Sequence, residues 1–212
     1  MITIAGMCCG MSAIRFAMVG KFEMAVVFIL AAALIDGMDG RVARMLGATS
    51  VFGAQLDSLS DFLCFGVAPA LVMYMWQTHD IKGIGWAVTL FFAMCTALRL
   101  ARFNTGLFEE KEPWEKNFFT GVPSPAGGIM CLLPIIISVA FDYTVPALQV
   151  CVHVVVVGTL MASRIPTFAG KNIRIKHDNI PMFMIGSSFL LVLFVIEPWL
   201  FLTLLSGAYL VS

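Results

Sequence analysis

The chain has 212 residues, of which 60% are apolar and only 12% are charged, about half of the roughly 25% that is usual for soluble domains. So short a chain lacks the polar surface needed to cover such a core, which argues against a soluble globule and indicates solvation by lipid. Thirteen Lys and Arg balance thirteen Asp and Glu. Because this leaves no broad basic field, nucleic-acid binding is excluded as a function.

Apolar segments of membrane-spanning length follow one another along the chain. A bilayer core of about 30 Å requires roughly 20 mostly apolar residues per helix. The predicted spans are residues 2–19, 22–46, 50–77, 83–104, 124–142, 146–164, 179–195 and 197–211. The last two are short and are separated only by Glu197 and Pro198, so a re-entrant hairpin is the alternative for them. The sequence therefore predicts an all-α polytopic membrane helical bundle that forms one domain over residues 1–212.

Small residues within the apolar segments are predicted to serve packing. Gly6 and Gly10 form a small-xxx-small pair in the first span, which allows a neighbouring helix to approach closely. The six cysteines, at positions 8, 9, 64, 95, 131 and 151, include no C-x-x-C pair. They are therefore interpreted as small buried residues, not as a disulfide framework or a zinc site.

Basic residues are divided unevenly between the two sides of the predicted bundle. One side holds only Lys21 and Lys82, Arg15 lies inside the first span, and the remaining ten basic residues are on the opposite side. By the positive-inside rule, the side with more basic residues, and both termini with it, is predicted to face the cytoplasm at the cell membrane. The residues on that side are Arg41, Arg44, Arg99, Arg102, Lys111, Lys116, Arg164, Lys171, Arg174 and Lys176.

Four acidic residues stand apart because they lie within predicted spans. Asp36 and Asp39 are near the end of the second span, and Asp57 and Asp61 are near the start of the third. Spacings of three and four residues place each pair on one helix face. Because the chain turns between the pairs, they are predicted to converge from an antiparallel hairpin. Carboxylates inside a membrane are energetically costly, so these four indicate a functional site.

The chemistry of this acidic group favours metal-assisted phosphoryl transfer. Four carboxylates close together in a low dielectric need protons or cations to coexist. Oxygen ligands without a convergent His or Cys favour Mg²⁺, Mn²⁺ or Ca²⁺ over zinc. Bound Mg²⁺ usually completes its shell with substrate phosphates, and a metal pair can stabilise both the attacking and the leaving oxygen.

Two other interpretations stay open on the residues alone. The acids could form salt bridges that tie helices together, with partners among Arg41, Arg44, Arg99 and Arg102. They could also line an ion or proton pathway, because cation transporters place carboxylates inside a helical bundle.

Residues 36–61 read D-G-M-D-G-R-V-A-R-M-L-G-A-T-S-V-F-G-A-Q-L-D-S-L-S-D. This stretch resembles the signature of the CDP-alcohol phosphotransferase family, D-x2-D-G-x2-A-R-x8-G-x3-D-x3-D, and every fixed position is present with its spacing. The resemblance favours an enzyme over a transporter. It also implies a six-helix core, over about residues 1–168, followed here by a C-terminal helix pair at about 179–211.

The resemblance further implies a role for each position of the signature. Two divalent ions, Mg²⁺ or Mn²⁺, would be bound by Asp36, Asp39, Asp57 and Asp61 at the cytoplasmic end of the core, with Asp61 also acting as the general base. The CDP-lipid would be accommodated by Gly40, Ala43 and Gly53, while Arg44 would help to hold the acids or the phosphates. The family also implies a homodimer.

Three further stretches resemble a subfamily, the bacterial and archaeal integral-membrane phosphatidylserine synthases. They are L-R-L-A-R-F-N at 98–104, F-T-G-V-P-S-P-A-G-G at 119–128 and S-R-I-P-T-F-A-G-K at 163–171. The opening I-T-I-A-G-M-C-C-G is also similar to that subfamily. The implied substrates are CDP-diacylglycerol, which would reach the site laterally from the membrane lipid, and L-serine. The alternative acceptors are glycerol 3-phosphate and inositol phosphate.

Cationic side chains are expected near the aspartates, because the donor carries phosphates and serine carries a carboxylate. Arg102 and Arg164 are the preferred candidates, followed by Arg99 and Lys171. The alternative for each is anchoring at the lipid headgroups. Pro123, Ser124 and Pro125 are predicted to fix the start of the fifth span, with a substrate contact by Ser124 as the alternative. Asn104 is predicted to contact substrate or to cap a helix.

Overall fold

A computed structural model describes residues 2–45, 51–106, 118–120, 122–163, 166–168 and 196–203. Helices dominate this part of the chain. They are α1 (Ile2–Met18), α2 (Phe22–Met45), α3 (Val51–Asp61), α4 (Ala68–Trp76), α5 (Ile84–Gly106), α6 (Ser124–Cys131), α7 (Leu133–Phe141) and α8 (Ala147–Ala162). A π-helical segment, Phe62–Val67, joins α3 to α4, and a 3₁₀ turn, Thr78–Asp80, follows α4.

The predicted third span is one long helix with an irregular centre. Residues Phe52–Trp76 run through α3, the π-helical segment and α4 as one apolar stretch of 25 residues. The π-helical segment begins directly after Asp61. Such segments insert an extra residue into a helical turn and frequently occur at functional sites.

The predicted fifth span is bent instead of straight. Its two halves, α6 and α7, meet at Leu132 at an angle of 44°. Pro134 lies just beyond the bend and has no N–H to donate to the carbonyl of Met130, one turn earlier. His153 Nε2 of α8 lies 2.8 Å from that carbonyl. A side chain from another helix thus satisfies a backbone acceptor that the proline leaves open.

Two of these helical elements are long and apolar enough to cross a membrane, and a third qualifies if the bent pair is one span. They are Phe52–Trp76, Ile84–Thr105, and α6 with α7. The helices α1 and α8 are apolar but shorter, and α2 carries Glu23 near one end and Asp36 and Asp39 near the other. Two to three candidate spans therefore agree with a membrane helical bundle, whereas eight transmembrane helices are not confirmed.

Two three-residue strands, which the sequence does not predict, accompany the helices. Strand β1 (Phe118–Thr120) pairs antiparallel with β2 (Pro166–Phe168). They lie before α6 and after α8 in the chain, so this pairing brings together the segments that flank the fifth and sixth predicted spans. The predicted C-terminal pair, 179–211, lies outside the described residues except for 196–203, where a short helix covers 198–203 and buries Leu202.

Close approaches between helices are made at glycines. A methyl group added to Gly10 of α1 would lie 2.7 Å from Cys64 Sγ in the π-helical segment. One added to Gly128 of α6 would lie 3.0 Å from the Phe65 Cα in the same segment. Because α1 and α6 both press against it, the π-helical segment is at the centre of the packed core, where Cys64 and Phe65 are buried.

Candidate functional site

The acids of α2 and α3 come together at one end of the bundle. Asp36 lies within hydrogen-bonding distance of both Asp57 and Asp61, and Asp39 is close enough to interact electrostatically with Asp36 and Asp57. Three carboxylates in mutual contact carry repulsive charge that a proton or a cation must neutralise. The structure therefore brings together side chains from two helices, α2 and α3, and residues 46–50 between these helices lie outside the described residues.

Asp61 is the most deeply placed member of the group. Its Oδ1 atom is buried and has no hydrogen-bond partner among the described residues. A buried carboxylate oxygen without a partner loses its hydration without compensation, which costs free energy. Asp57, in contrast, is exposed. The site thus has an open side at Asp57 and a closed side at Asp61.

Asp39 has a hydrogen-bond partner on another helix. Its Oδ2 accepts a hydrogen bond from the Thr3 hydroxyl, near the beginning of α1. The partner is 36 residues away in the chain. One oxygen of Asp39 is therefore engaged by α1.

Arg99 of α5 is the basic residue nearest to Asp61 among the candidates whose side chains the structure describes. Its charge interacts with the Asp61 carboxylate. Arg99 also donates a hydrogen bond to the Ser124 hydroxyl, in the first turn of α6. Ser124 is completely buried, and α6 begins directly after Pro123. The predicted helix start at Pro123–Pro125 thus positions a hydroxyl against Arg99.

Arg102 and Asn104 of the same helix make different contacts. Arg102 donates a hydrogen bond to the carbonyl oxygen of Ala162, in the last turn of α8. An arginine at that position stabilises the carbonyl end of a helix, where the dipole is negative. Asn104 Oδ1 accepts a hydrogen bond of 3.1 Å from the Ser58 hydroxyl. Both residues therefore fasten α5 to neighbouring helices at the edge of the acidic site.

The other residues of the signature are described only in part. Gly40, Ala43 and Arg44 lie in the final turns of α2, where the structure describes the backbone, and Gly53 lies near the start of α3. A methyl group added to Gly37, between the two acids of α2, would meet no described atom within 4 Å. The described residues therefore leave space beside the backbone at this point. Arg164 and Lys171 lie outside the described residues.

The acidic group has the donor chemistry of a divalent-metal site but not a closed coordination geometry. Among the described residues, no three His, Cys, Asp or Glu side chains are arranged to hold a metal ion. The oxygens present are of the type that Mg²⁺ and Mn²⁺ prefer, and the Asp61 Oδ1 atom is a buried acceptor in need of a partner. The donor chemistry of these residues therefore fits a hard cation.

Sequence reasoning missed two hydroxyls and one histidine. Thr3 belongs to the opening motif but was assigned no contact, and Ser58 follows Asp57 without any distinctive pattern. His153 has no predicted contact, because its carbonyl partner is 23 residues away in the chain. For His153 a signal was present, since Pro134 marks Met130 as a carbonyl without its usual donor.

Comparison with known proteins identifies relatives over nearly the whole chain. The model of the CDP-alcohol phosphatidyltransferase family matches residues 1–162. A protein of Mycobacterium leprae is 34% identical over 212 residues, 99% of this chain and 70% of the relative. One of Helicobacter pylori is 33% identical over 215 residues, 100% of this chain and 86% of the relative. One of Bacillus subtilis is 36% identical over 151 residues, 71% and 80% of the two chains. All three relatives are named CDP-diacylglycerol–serine O-phosphatidyltransferase.

Proposed function

We propose that this chain, which belongs to the CDP-alcohol phosphatidyltransferase family, is a membrane phosphatidylserine synthase. It transfers the phosphatidyl group of CDP-diacylglycerol to the hydroxyl of L-serine and releases CMP. The names of the three relatives support the choice of substrates. The observation that carries the proposal is the contact of Asp36 with Asp57 and Asp61 inside a helical bundle, since it brings the two halves of the complete signature to one place.

The four aspartates are proposed to hold divalent metal. Asp36, Asp39, Asp57 and Asp61 would supply oxygen ligands to one or two Mg²⁺ or Mn²⁺ ions, which is supported by the buried, partnerless Asp61 Oδ1 atom. Metal bound there would neutralise the diphosphate of the donor and make its phosphorus more electrophilic. Either Mg²⁺ or Mn²⁺ is compatible with the proposal, because carboxylate oxygens bind both metals.

Asp61 is proposed as the general base. It takes the proton from the serine hydroxyl, the serine oxygen forms a bond to the phosphorus that carries diacylglycerol, and the bond to CMP breaks. CMP leaves with the electron pair of that bond, and the proton passes from Asp61 to solvent. The position of Asp61 supports this role, because it lies next to Asp36 on the closed side of the site, away from bulk water.

The donor nucleotide is proposed to lie along the last turns of α2 and the first turns of α3. Gly40, Ala43 and Gly53 would leave space for the cytidylyl group, and Arg44 would contact the phosphates. The free space beside the Gly37 backbone supports this placement, because it opens on the same stretch of helix.

The serine carboxylate is proposed to bind a cation at the edge of the acids. The candidates are Arg102, Arg164, Arg99 and Lys171. The contacts favour Arg99, because it lies beside Asp61 and is oriented by Ser124, whereas Arg102 is engaged with the last turn of α8. A single cation suits serine, since glycerol 3-phosphate or inositol phosphate would bring a further phosphate group to the site and require more positive charge.

The arrangement in the membrane is proposed from charge. The excess of basic residues on one side supports a cytoplasmic site with both termini on that side. Residues 1–212 are proposed to form one catalytic domain, with 1–168 as core and 179–211 as an added pair, and to assemble as a homodimer. Labelling of introduced cysteines in intact cells would test the orientation, and crosslinking in detergent would test the dimer.

The deciding experiment is an assay on the purified chain in detergent. With CDP-diacylglycerol, labelled serine and Mn²⁺ or Mg²⁺, we expect lipid-linked label and one CMP released per product, and we expect EDTA to abolish both. Label transfer from glycerol 3-phosphate or an inositol acceptor, but not from serine, would contradict the choice of acceptor. Ion flux in liposomes without CMP release would instead favour a transporter.

A further inference from the structure

We infer that Thr3 is a positioning residue for the acidic site: its hydroxyl fixes the carboxylate of Asp39 so that the second oxygen of that group is presented to metal. This inference deepens the proposed function and rests on it. The contact that carries it is the hydrogen bond from Thr3 Oγ1 to Asp39 Oδ2, which joins α1 to α2 across 36 residues.

The start of α1 is held firmly enough for this role. Gly10 lets α1 approach the π-helical segment so closely that a methyl group there would lie 2.7 Å from Cys64 Sγ. The Cys64 thiol in turn donates to the carbonyl oxygen of Gly6, with an S–O distance of 3.3 Å. Two successive turns of α1 therefore pack against the π-helical segment, which begins directly after Asp61. Thr3 lies one turn further along the same helix, towards its N-terminus.

Thr3 is also tied to the helix that carries the other acids. The Ser60 hydroxyl lies 3.5 Å from the carbonyl oxygen of Thr3. Ser60 is buried and stands between Asp57 and Asp61 in α3. The backbone of Thr3 therefore contacts α3, while its side chain contacts Asp39 of α2. Through this single residue, the two halves of the acidic group are held in register.

A threonine hydroxyl is chemically suited to this task. It is a neutral donor, so it orients the carboxylate without pairing with its charge, and the negative charge of Asp39 remains available to a cation. A Lys or Arg in the same place would compete with the metal. Hydrogen bonds of this kind to metal ligands fix their orientation, and their loss typically lowers metal affinity by about 10- to 100-fold.

The test measures metal binding directly. Wild type and Thr3→Val are titrated with Mn²⁺ in detergent with CMP present, and free Mn²⁺ is followed by its electron paramagnetic resonance signal. Valine keeps the shape of threonine but removes the donor, so we expect the dissociation constant for Mn²⁺ to rise by about 10- to 100-fold. Thr3→Ser, which keeps the hydroxyl, should restore binding. Thr3→Ala is measured in parallel in case valine disturbs folding.

Thr159→Val is the matched control. Thr159 is exposed on α8, and its hydroxyl donates only to the Val155 carbonyl of its own helix, at 2.7 Å. We expect its metal affinity to stay within twofold of wild type. In the activity assay, Thr3→Val should raise the Mn²⁺ concentration needed for half-maximal rate while leaving the KM for serine unchanged, a pattern that general destabilisation would not produce.

The outcomes separate the inference from the proposed function. If Thr3→Val and Thr3→Ala bind Mn²⁺ as tightly as an active wild type, or if Thr3→Ser is as weak as Thr3→Val, the inference is wrong and the proposed function stands. If the wild type neither binds Mn²⁺ nor releases CMP, both are wrong.

Discussion

At one end of the bundle, Asp61 of α3 meets Asp36 of α2 and Arg99 of α5, three charged groups from three helices. At the other end, His79 lies 3.3 Å from Asp80, its neighbour in the chain, and both side chains are at least half exposed. The second His79 contact, to the Tyr74 carbonyl at 3.1 Å, is also local.

The difference lies in what maintains each contact between ionisable groups. An exposed pair of adjacent residues is screened by water and contributes about 0–1 kcal/mol, so it adds little wherever it occurs. Charges from separate helices remain close only if the packing of those helices opposes their repulsion and desolvation. A charged cluster that the fold maintains at such cost is therefore a better indicator of function than the number of charges, and four predictions test this contrast.

The largest effect is expected at Asp61. Replacing it by Asn removes the proposed base and one metal ligand while keeping the shape of the side chain, so we expect the rate of CMP release to fall by about 100- to 10,000-fold. Asp80→Asn at the opposite end should leave the rate unchanged. Circular dichroism and gel filtration should show that both variants fold. Near-normal turnover by Asp61→Asn would remove it from the role of base.

A smaller loss is expected when the support of Arg99 is removed. Ser124→Ala deletes the hydroxyl that receives the Arg99 hydrogen bond, and such bonds to charged groups are worth about 1.5–3 kcal/mol. We expect kcat/KM for serine to fall roughly tenfold or more. Ser12→Ala is the control, because Ser12 donates only to the Cys8 carbonyl of its own helix. Equal rates for the two variants would contradict a role for Ser124.

The third prediction compares the thermal stability of two variants in which a glycine of α1 or of α2 is replaced by alanine. Gly10→Ala would press its methyl against Cys64 Sγ at 2.7 Å, and overpacking of this kind costs about 1–3 kcal/mol. Gly37→Ala enters free space in α2, where alanine favours the helix by about 0.5–1 kcal/mol. Thermal unfolding in detergent should therefore give a lower Tm for the first variant and an equal or higher one for the second. The reverse order would contradict the packing of α1.

The smallest contrast concerns two histidines. His153→Leu would leave the Met130 carbonyl without its partner at the Pro134 bend, at a cost of about 1–3 kcal/mol. His79→Leu at the exposed end should change the free energy of unfolding by less than about 0.5 kcal/mol. Denaturant titration of both variants measures the difference. Equal values would mean that the bend does not depend on His153.

Much of the helical framework could be predicted from the sequence. The predicted starts and ends of the first four spans agree with α1, α2, Phe52–Trp76 and α5 to within about two residues, because apolar length and solvation by lipid are properties of local composition. The bend at Leu132 and the π-helical segment were not predicted. A proline two residues inside a helix is compatible with several geometries, and the packing of α8 selects one of them.

The acids of the candidate site and the convergence of their two pairs were predicted, but the contacts of the surrounding side chains were not. The four aspartates were identified by their helical spacing, and the structure brings three of them into contact. Motif resemblance gave Arg102 preference over Arg99, and our proposal takes the opposite order, because Arg102 contacts Ala162 whereas Arg99 lies beside Asp61. Two residues three positions apart on one helix can point to the same neighbour or to different ones, depending on how that helix is rotated.

The sequence by itself determined that this is an apolar helical protein with four acids at one end of two helices and the signature of a phosphotransferase family. Helical periodicity and the cost of burying charge are sufficient for the helices and the acids, whereas the family follows from the resemblance of residues 36–61 to its signature. Only the tertiary structure shows that Thr3 donates a hydrogen bond to Asp39, that Arg99 donates one to Ser124, and that His153 bonds to the Met130 carbonyl at the bend. These contacts join residues 23 or more positions apart across helix interfaces. They depend on glycines, whose missing side chains set how closely the helices pack.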